Sequence, residues 1–132
     1  MKTFKQFLNE NIIVGQHKFI VDPNYDDHET SLHLFNVNKV EKSFSQDKDK
    51  YIGKGGTGAG IIKNRYPEVQ DFIKQNKVIH SSSVGVDDEG KISFNNGRHR
   101  YSAFRDMGVK HIPMSLHSDE DRTNAKKFGY IN

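Results

Sequence analysis

The sequence predicts one small domain of the α/β type, more closely α+β, with a mixed sheet and a few helices. Three observations carry that expectation. Lys91–Gly108 reads as strand, tight turn, helix and stop, and His111–Leu116 reads as the strand that follows it. Short β-rich runs recur earlier, at Ile12–Val14, Lys18–Val21, Leu32–Val37 and Val78–Val86, with amphipathic segments between them. The length of 132 residues suits a single modest core.

From the N-terminus, Met1–Glu10 is a short amphipathic segment. Phe4, Phe7 and Leu8 share one helical face, Lys2, Lys5 and Gln6 lie elsewhere, and Thr3 stands where a cap belongs. Ile12–Gly15 and Lys18–Val21 flank a polar turn, as a hairpin or an addition to a sheet edge. Asp22–Glu29 is acidic; its aspartates with His28 and Glu29 offer oxygen and imidazole ligands, but a solvated turn is the simpler reading. Leu32–Val37 alternates as a strand. In the charge-rich stretch Asn38–Lys50, Val40 and Phe44 are four apart and mark one short helix. Gly53–Gly60 holds five glycines in eight residues. It is not a Walker A loop, since no Gly-Lys-Ser/Thr follows at the required spacing. It reads either as a flexible surface loop or as a mobile flap. As a flap, Lys54, Gly55, Gly56 and Thr57 would close over a phosphate.

Pro67 suits the first position of a helix Pro67–Gln75, with Glu68 in its first turn and Val69, Phe72 and Ile73 on its buried side. Val78–His80 begins a strand, Ser81–Ser83 bends, and Val84–Phe94 is a hairpin about Asp87–Gly90. Ile92 and Phe94 alternate with Lys91, Ser93 and Asn95. Asn95-Asn96-Gly97 is turn chemistry, and glycine there permits close approach to the backbone. Tyr101, Phe104 and Met107 then mark an apolar helical face that Gly108 ends. Arg98, His99 and Arg100 therefore fall in a first helical turn. Unsatisfied N–H groups and the positive dipole end favour an anion there, and two guanidiniums add fork-shaped donors. His99 equally fits a hydrogen-bonded packing residue. Arg105 is expected to face solvent or to pair with Asp106. After a polar tail, Asn124–Ile131 is a short helix stopped by Gly129.

Composition narrows the classes. Twenty Lys and Arg against 17 Asp and Glu leave a net charge of +3, and the pI near 9.0 permits a nucleotide or nucleic-acid partner without requiring one. There is no cysteine, which excludes disulfides, sulfur-ligated zinc and thiol redox chemistry. No protein-ligated metal is predicted. No apolar run approaches the ~18 residues of a membrane span, and no secretory signal is evident, so a cytoplasmic protein without a membrane partner is expected.

The strand, the box Asn96-Gly97-Arg98-His99-Arg100, the aromatic-rich helix, Gly108 and the Ile112-Pro113 strand together resemble the ParB/sulfiredoxin-like superfamily. The resemblance is good over residues 78–117 and loose over 37–77. It implies a small nucleotide-binding fold whose Arg-rich helix start holds phosphates. It carries phosphate contact onto Gly97, Arg98, His99 and Arg100. Members include CTP-hydrolysing partition proteins, sulfiredoxins, free-serine kinases and nucleases, so the fold does not choose the activity. Active acids in the family precede the box. Glu41 and Glu68 are the candidates here, Glu68 if Asn64-Arg65 reaches the site.

The leader Met1-Lys2-Thr3-Phe4, ending Leu8-Asn9-Glu10, resembles the capsid-targeting sequence of internal head proteins of large tailed phages. That resemblance implies cleavage after Glu10, a mature domain of residues 11–132, packaging in the phage head and host takeover from the host cytoplasm. Three functions follow. One is a nucleotide- or phosphate-dependent enzyme, with Mg²⁺ on the phosphates and one acid to position the nucleophile. Another is a DNA-binding protein or nuclease, although no base-reading helix-turn-helix is evident. The third is a non-enzymatic phage factor that binds and inhibits a host protein. If the leader is processed, protein from virions begins at Asn11 and Glu10→Ala blocks the cut. Intact Met1 in virion protein, read by mass spectrometry, would remove the processing claim.

Overall fold

The structure, a computed structural model, describes residues 11–25 and 29–132. The expected leader, and Asp26-Asp27-His28 of the acidic loop, lie outside these. In chain order the elements are β1 (Asn11–Val14), β2 (His17–Ile20), a 3₁₀ turn (Pro23–Tyr25), β3 (Ser31–Asn36), α1 (Val37–Phe44) and α2 (Arg65–Gln75). There follow β4 (Val78–His80), β5 (Ser82–Val86), β6 (Ile92–Asn96), α3 (Arg98–Asp106), β7 (His111–Leu116) and α4 (Asp119–Lys127). Among the described residues no helix is long and apolar enough to cross a membrane.

The α+β class is as expected, but the strands divide into two sheets. The hairpin β1–β2 is joined by β4, parallel to β2, in the order β1-β2-β4. The second sheet runs β3-β7-β5-β6, with β5 and β7 parallel and the outer pairs antiparallel. Ser81 alone separates β4 from β5, so the chain passes between sheets at the predicted bend. Its hydroxyl meets that of Ser115, 2.5 Å away in the core. Helix α3 packs against both sheets. Phe104 meets Phe19 of β2 at 4.9 Å between ring centroids, and Tyr101 meets Phe94 of β6 at 5.1 Å and Phe44 of α1 at 5.8 Å. Burying each such ring stabilises the fold by about 1.5–3 kcal/mol.

Several boundaries differ from expectation. Helix α2 begins at Arg65, so Pro67 is its third residue. The missing proline N–H costs nothing there, because the first four amides of a helix have no internal acceptor. Tyr66 and Ile73 form its buried side, while Phe72 is 50% exposed. Asn95 and Asn96 belong to β6, which leaves Gly97 as the turn. Met107 lies past the last turn of α3 and is exposed. Helix α4 starts at Asp119, earlier than predicted, because Ser118 caps it by accepting from the Asp121 amide. Tyr130 and Ile131 are buried, as expected of a segment that packs back.

Arg105 departs furthest from expectation. It pairs with Asp106 as foreseen (Nε to Oδ1, 3.0 Å), but it does not face solvent. Its Nη1 donates to Glu41 Oε1 at 2.9 Å and to the Ile52 carbonyl at 2.6 Å. Tyr51 and Tyr101 donate to the same Glu41 carboxylate, and Tyr66 and the Gly55 amide donate to Asp106 Oδ2. This network clamps the segment between α1 and α2, which has no regular secondary structure, onto α3. The glycine run lies on the surface, with Lys54, Gly55, Thr57, Gly58 and Ala59 exposed, and is tied to α3 through the Gly55 amide. Gly53 and Thr57 bridge each other, and a Cβ on Gly56 would fall 2.4 Å from the Tyr66 ring. Arg105→Ala strands two carboxylates that are 24% and 13% exposed. It should cost about 3 kcal/mol, the low end for breaking a buried pair because Glu41 keeps some solvent. Urea denaturation checks this, and a loss below about 1 kcal/mol, the surface-pair range, would show the network to be dispensable.

Candidate functional site

Gly97 sets the geometry at the start of α3. Its φ of +81° is left-handed, a conformation that suits glycine. A Cβ there would fall 2.6 Å from both Ser82 Oγ and Arg100 Nη2. The close approach foreseen at this glycine is thus made by the chain itself. Ser82 of β5 donates to the Gly97 carbonyl at 2.7 Å, and the same carbonyl accepts the first intrahelical bond, from Tyr101. The first-turn amides of any helix lie outside its ladder, and Gly97 has no side chain with which to cap these. Helix α2 likewise has no side-chain cap at Asn64, whereas Asn36 caps α1 and Ser118 caps α4.

The two uncapped helices border one cavity of about 250 Å³. Arg98, His99, Arg100 and Gly97 line it, together with Phe94, Asn95 and Asn96 of β6. Across from them stand Lys50, Ile62, Arg65 and Val69. Four cationic side chains thus share one concavity, and its described lining contains no carboxylate. On an ideal helix Arg98 and Arg100 diverge by about 200°. They nevertheless reach the same cavity, because a helix start is a rim open on one side.

Two box residues also hold the opposite wall. Arg98 Nη2 donates to the Gly60 carbonyl at 2.7 Å, and its buried Nε meets no acceptor among the described residues. His99 is buried and accepts the Ile62 amide on Nε2 at 3.3 Å. Burial, reinforced by the charges of Arg98 and Arg65, lowers the His99 pKa from 6.5 to about 4. The imidazole is therefore neutral near pH 7 and lines the cavity without adding charge.

The other predicted site residues lie elsewhere. Lys54 and Thr57 are exposed, and Gly55 and Gly56 pack on Asp106 and Tyr66; none of the four lines the cavity. Glu41 is held by Arg105 and two tyrosines, and Glu68 is exposed on α2 outside the lining. Lys50, Arg65 and the β6 asparagines were not among the predicted phosphate ligands. Arg65 had a signal, its position ahead of Glu68; Lys50 lies in a run of charges where nothing distinguishes it. Among the described residues no cluster of three or more His, Asp or Glu side chains is placed to hold a metal.

No family model matches the chain. Two probable polyketide synthases of Dictyostelium discoideum, numbers 27 and 30, are each 27% identical over 119 residues. The match covers 89% of this chain but only 4% of the length of those relatives. Among solved structures, the chain resembles Oncogenic Suppression Activity Protein, a plasmid fertility inhibition factor, with a TM-score of 0.62 at 10% identity. That likeness covers 89% of this chain and 66% of the other. It is a likeness of fold, the small ParB/sulfiredoxin-like α+β architecture.

The His99 shift has a defined pH signature. Between about pH 6.5 and 4 the unfolded imidazole binds a proton that the folded one does not. The stabilising contribution of the neutral, buried ring is therefore complete above pH 6.5 and is lost as pH falls towards 4. His99→Gln places an amide oxygen near the Nε2 position as an acceptor for Ile62 and does not titrate. Urea midpoints at pH 7.5, 6.0 and 5.0 should fall more steeply for the parent than for the variant. Parallel slopes would show that His99 is not the titrating group.

Proposed function

We propose that this protein binds a nucleotide or another phosphate ligand in the cavity at the start of α3. The observation that carries this reading is the convergence of Lys50, Arg65, Arg98 and Arg100 on one concavity whose described lining has no acid. Like charges held together repel, and an anion relieves that repulsion. Guanidinium forks match phosphate oxygens, the uncapped amides favour the same charge, and the buried Arg98 Nε, which meets no acceptor among the described residues, could take a phosphate oxygen. Ile62, Val69 and Phe94 give apolar surface for the rest of the ligand, and Asn95 and Asn96 add amide donors and acceptors.

The lining supports holding a ligand more than turning it over. Hydrolysis or phosphoryl transfer needs an acid or amide to place the nucleophile and usually Mg²⁺ to balance charge. Neither Glu41 nor Glu68 borders the cavity, and a lining without carboxylates does not fit a protein-held Mg²⁺. The resemblance of residues 1–10 to a phage capsid-targeting leader supports a setting in the infected host cytoplasm. A second reading, a factor that binds and inhibits a host protein, draws on the fold shared with a plasmid fertility inhibition factor.

Calorimetric titration with ATP, ADP, CTP, GTP and inorganic phosphate, with and without Mg²⁺, tests the proposal. Arg98→Ala with Arg100→Ala should abolish binding, since each charged hydrogen bond is worth about 1.5–3 kcal/mol. Arg65 is exposed, so Arg65→Ala should weaken binding while leaving the thermal midpoint in place. Gly97→Val should lower both, with about 1–2 kcal/mol from the left-handed φ alone and more from the clash with Ser82. No heat with any of the five ligands would overturn the reading.

A further inference from the structure

We infer that Ile61–Arg65 is a lid on the cavity, strained at Asn64 and held down by a bound anion. This rests on the phosphate reading above and adds a conformational step to it. The five residues are exposed one after another, between two buried anchors. At one end a Cβ on Gly60 would collide with the Lys50 main chain, and the Gly60 carbonyl accepts from Arg98. At the other end Tyr66 is buried and donates to Asp106. Between the anchors a single hydrogen bond crosses to α3, from the Ile62 amide to His99 Nε2 at 3.3 Å. The Ile61 amide reaches the Gly58 carbonyl only at 3.5 Å, and the Arg65 amide bonds within the segment, to the Ile62 carbonyl. Ile61 and Ile62 are 44% and 50% exposed and stand apart from the apolar core.

A segment with so few buried contacts opens more readily than the fold around it. Two forces favour opening. Asn64 has a φ of +65°, and among the described residues it is the one non-glycine with a positive φ. A side chain makes the left-handed region costly, and opening releases that cost. Charge acts in the same sense. Arg65 is the first residue of α2, a helix without a side-chain cap, and it lines the cavity across from Arg98 and Arg100. Between bare cations the lid and the box repel each other. An anion placed between them reverses the sign, because it attracts Arg65 and the box alike. Ile62 belongs to the same wall, so the lid that Arg65 draws down also lays an apolar side chain against the ligand. The lid is therefore weakly closed on its own and firmly closed over an anion.

Hydrogen exchange of the Ile62 amide, followed by NMR at constant pH near 7, reads the lid directly, since that proton meets His99 only while the lid is down. The Tyr101 amide, bonded to Gly97 in α3, reports any general loosening. Without ligand, Asn64→Gly takes the left-handed turn freely and should slow Ile62 exchange about fivefold. Arg65→Gln removes a repelling charge and should slow it as well. Inorganic phosphate or ATP, at about ten times its Kd for the parent, should slow parent exchange about tenfold, because opening then requires release. At the same ligand concentration Arg65→Gln should lose most of that protection. One substitution thus shelters the bare lid and exposes the loaded one, while Tyr101 exchange stays as in the parent. The inference is overturned if Ile62 and Tyr101 exchange together in every form, or if neither substitution slows Ile62 in the bare protein. It is overturned too if a ligand that gives calorimetric heat leaves Ile62 exchange unchanged. In these cases the phosphate reading stands or falls by calorimetry alone; no heat with any of the five ligands removes the anion and its lid together.

Discussion

Arg105 is the charge on which the shape of the cavity depends. Ordering a segment without helix or strand costs about 1–2 kcal/mol per residue in backbone entropy, and few apolar side chains between residues 45 and 64 are available to offset it. Ile52 is one; it is fully buried, and its carbonyl is an acceptor for Arg105. Glu41 on α1 and Asp106 on α3 bind the same guanidinium. Burial works against the charged form, but the hydrogen bonds and charges of Asp106 and Glu41 outweigh it and raise the Arg105 pKa. The same partners act in reverse on Asp106. Burial would raise its pKa, and bonds from Arg105, Tyr66 and the Gly55 amide bring the net shift downwards. The loop is thus fixed by a permanently ionised centre, which carries Lys50, Ile62 and Arg65 to the start of α3.

The box residues divide their roles by burial. Gly97 supplies the left-handed turn and accepts Ser82. His99 is inside and neutral, and fixes the loop through Ile62. Arg98 belongs to both the wall and the cavity, holding Gly60 with one nitrogen while another lies buried with no acceptor among the described residues. A ligand phosphate that engages Arg98 therefore acts directly on a residue that also holds the loop. Ligand and loop are coupled through one side chain.

What the sequence determined by itself is local. Period-2 and period-3.6 patterns placed most strands, the helices α1 and α3 and the stops at Gly108 and Gly129, because those patterns report which side of an element meets the core. The same logic put Arg98, His99 and Arg100 together in a first helical turn. It failed where burial is decided by a neighbour: Phe72 and Met107 fit apolar stripes, yet both stay largely exposed among the described residues.

Only the tertiary structure decided the rest. Strand order is non-local, so nothing in the runs at β4 and β5 shows that one serine moves the chain between sheets. An ionisable residue carries no sequence mark of its environment. Arg105 and Arg98 look alike on paper, but one is the centre of a buried network and the other lines a cavity. Glu41, a candidate acid by sequence, accepts from two tyrosines and an arginine, partners that no local pattern announces. Lys50 and Arg65 join the box across large sequence separations. Convergence of charge is a property of the folded chain, because it depends on which distant backbones the core brings side by side.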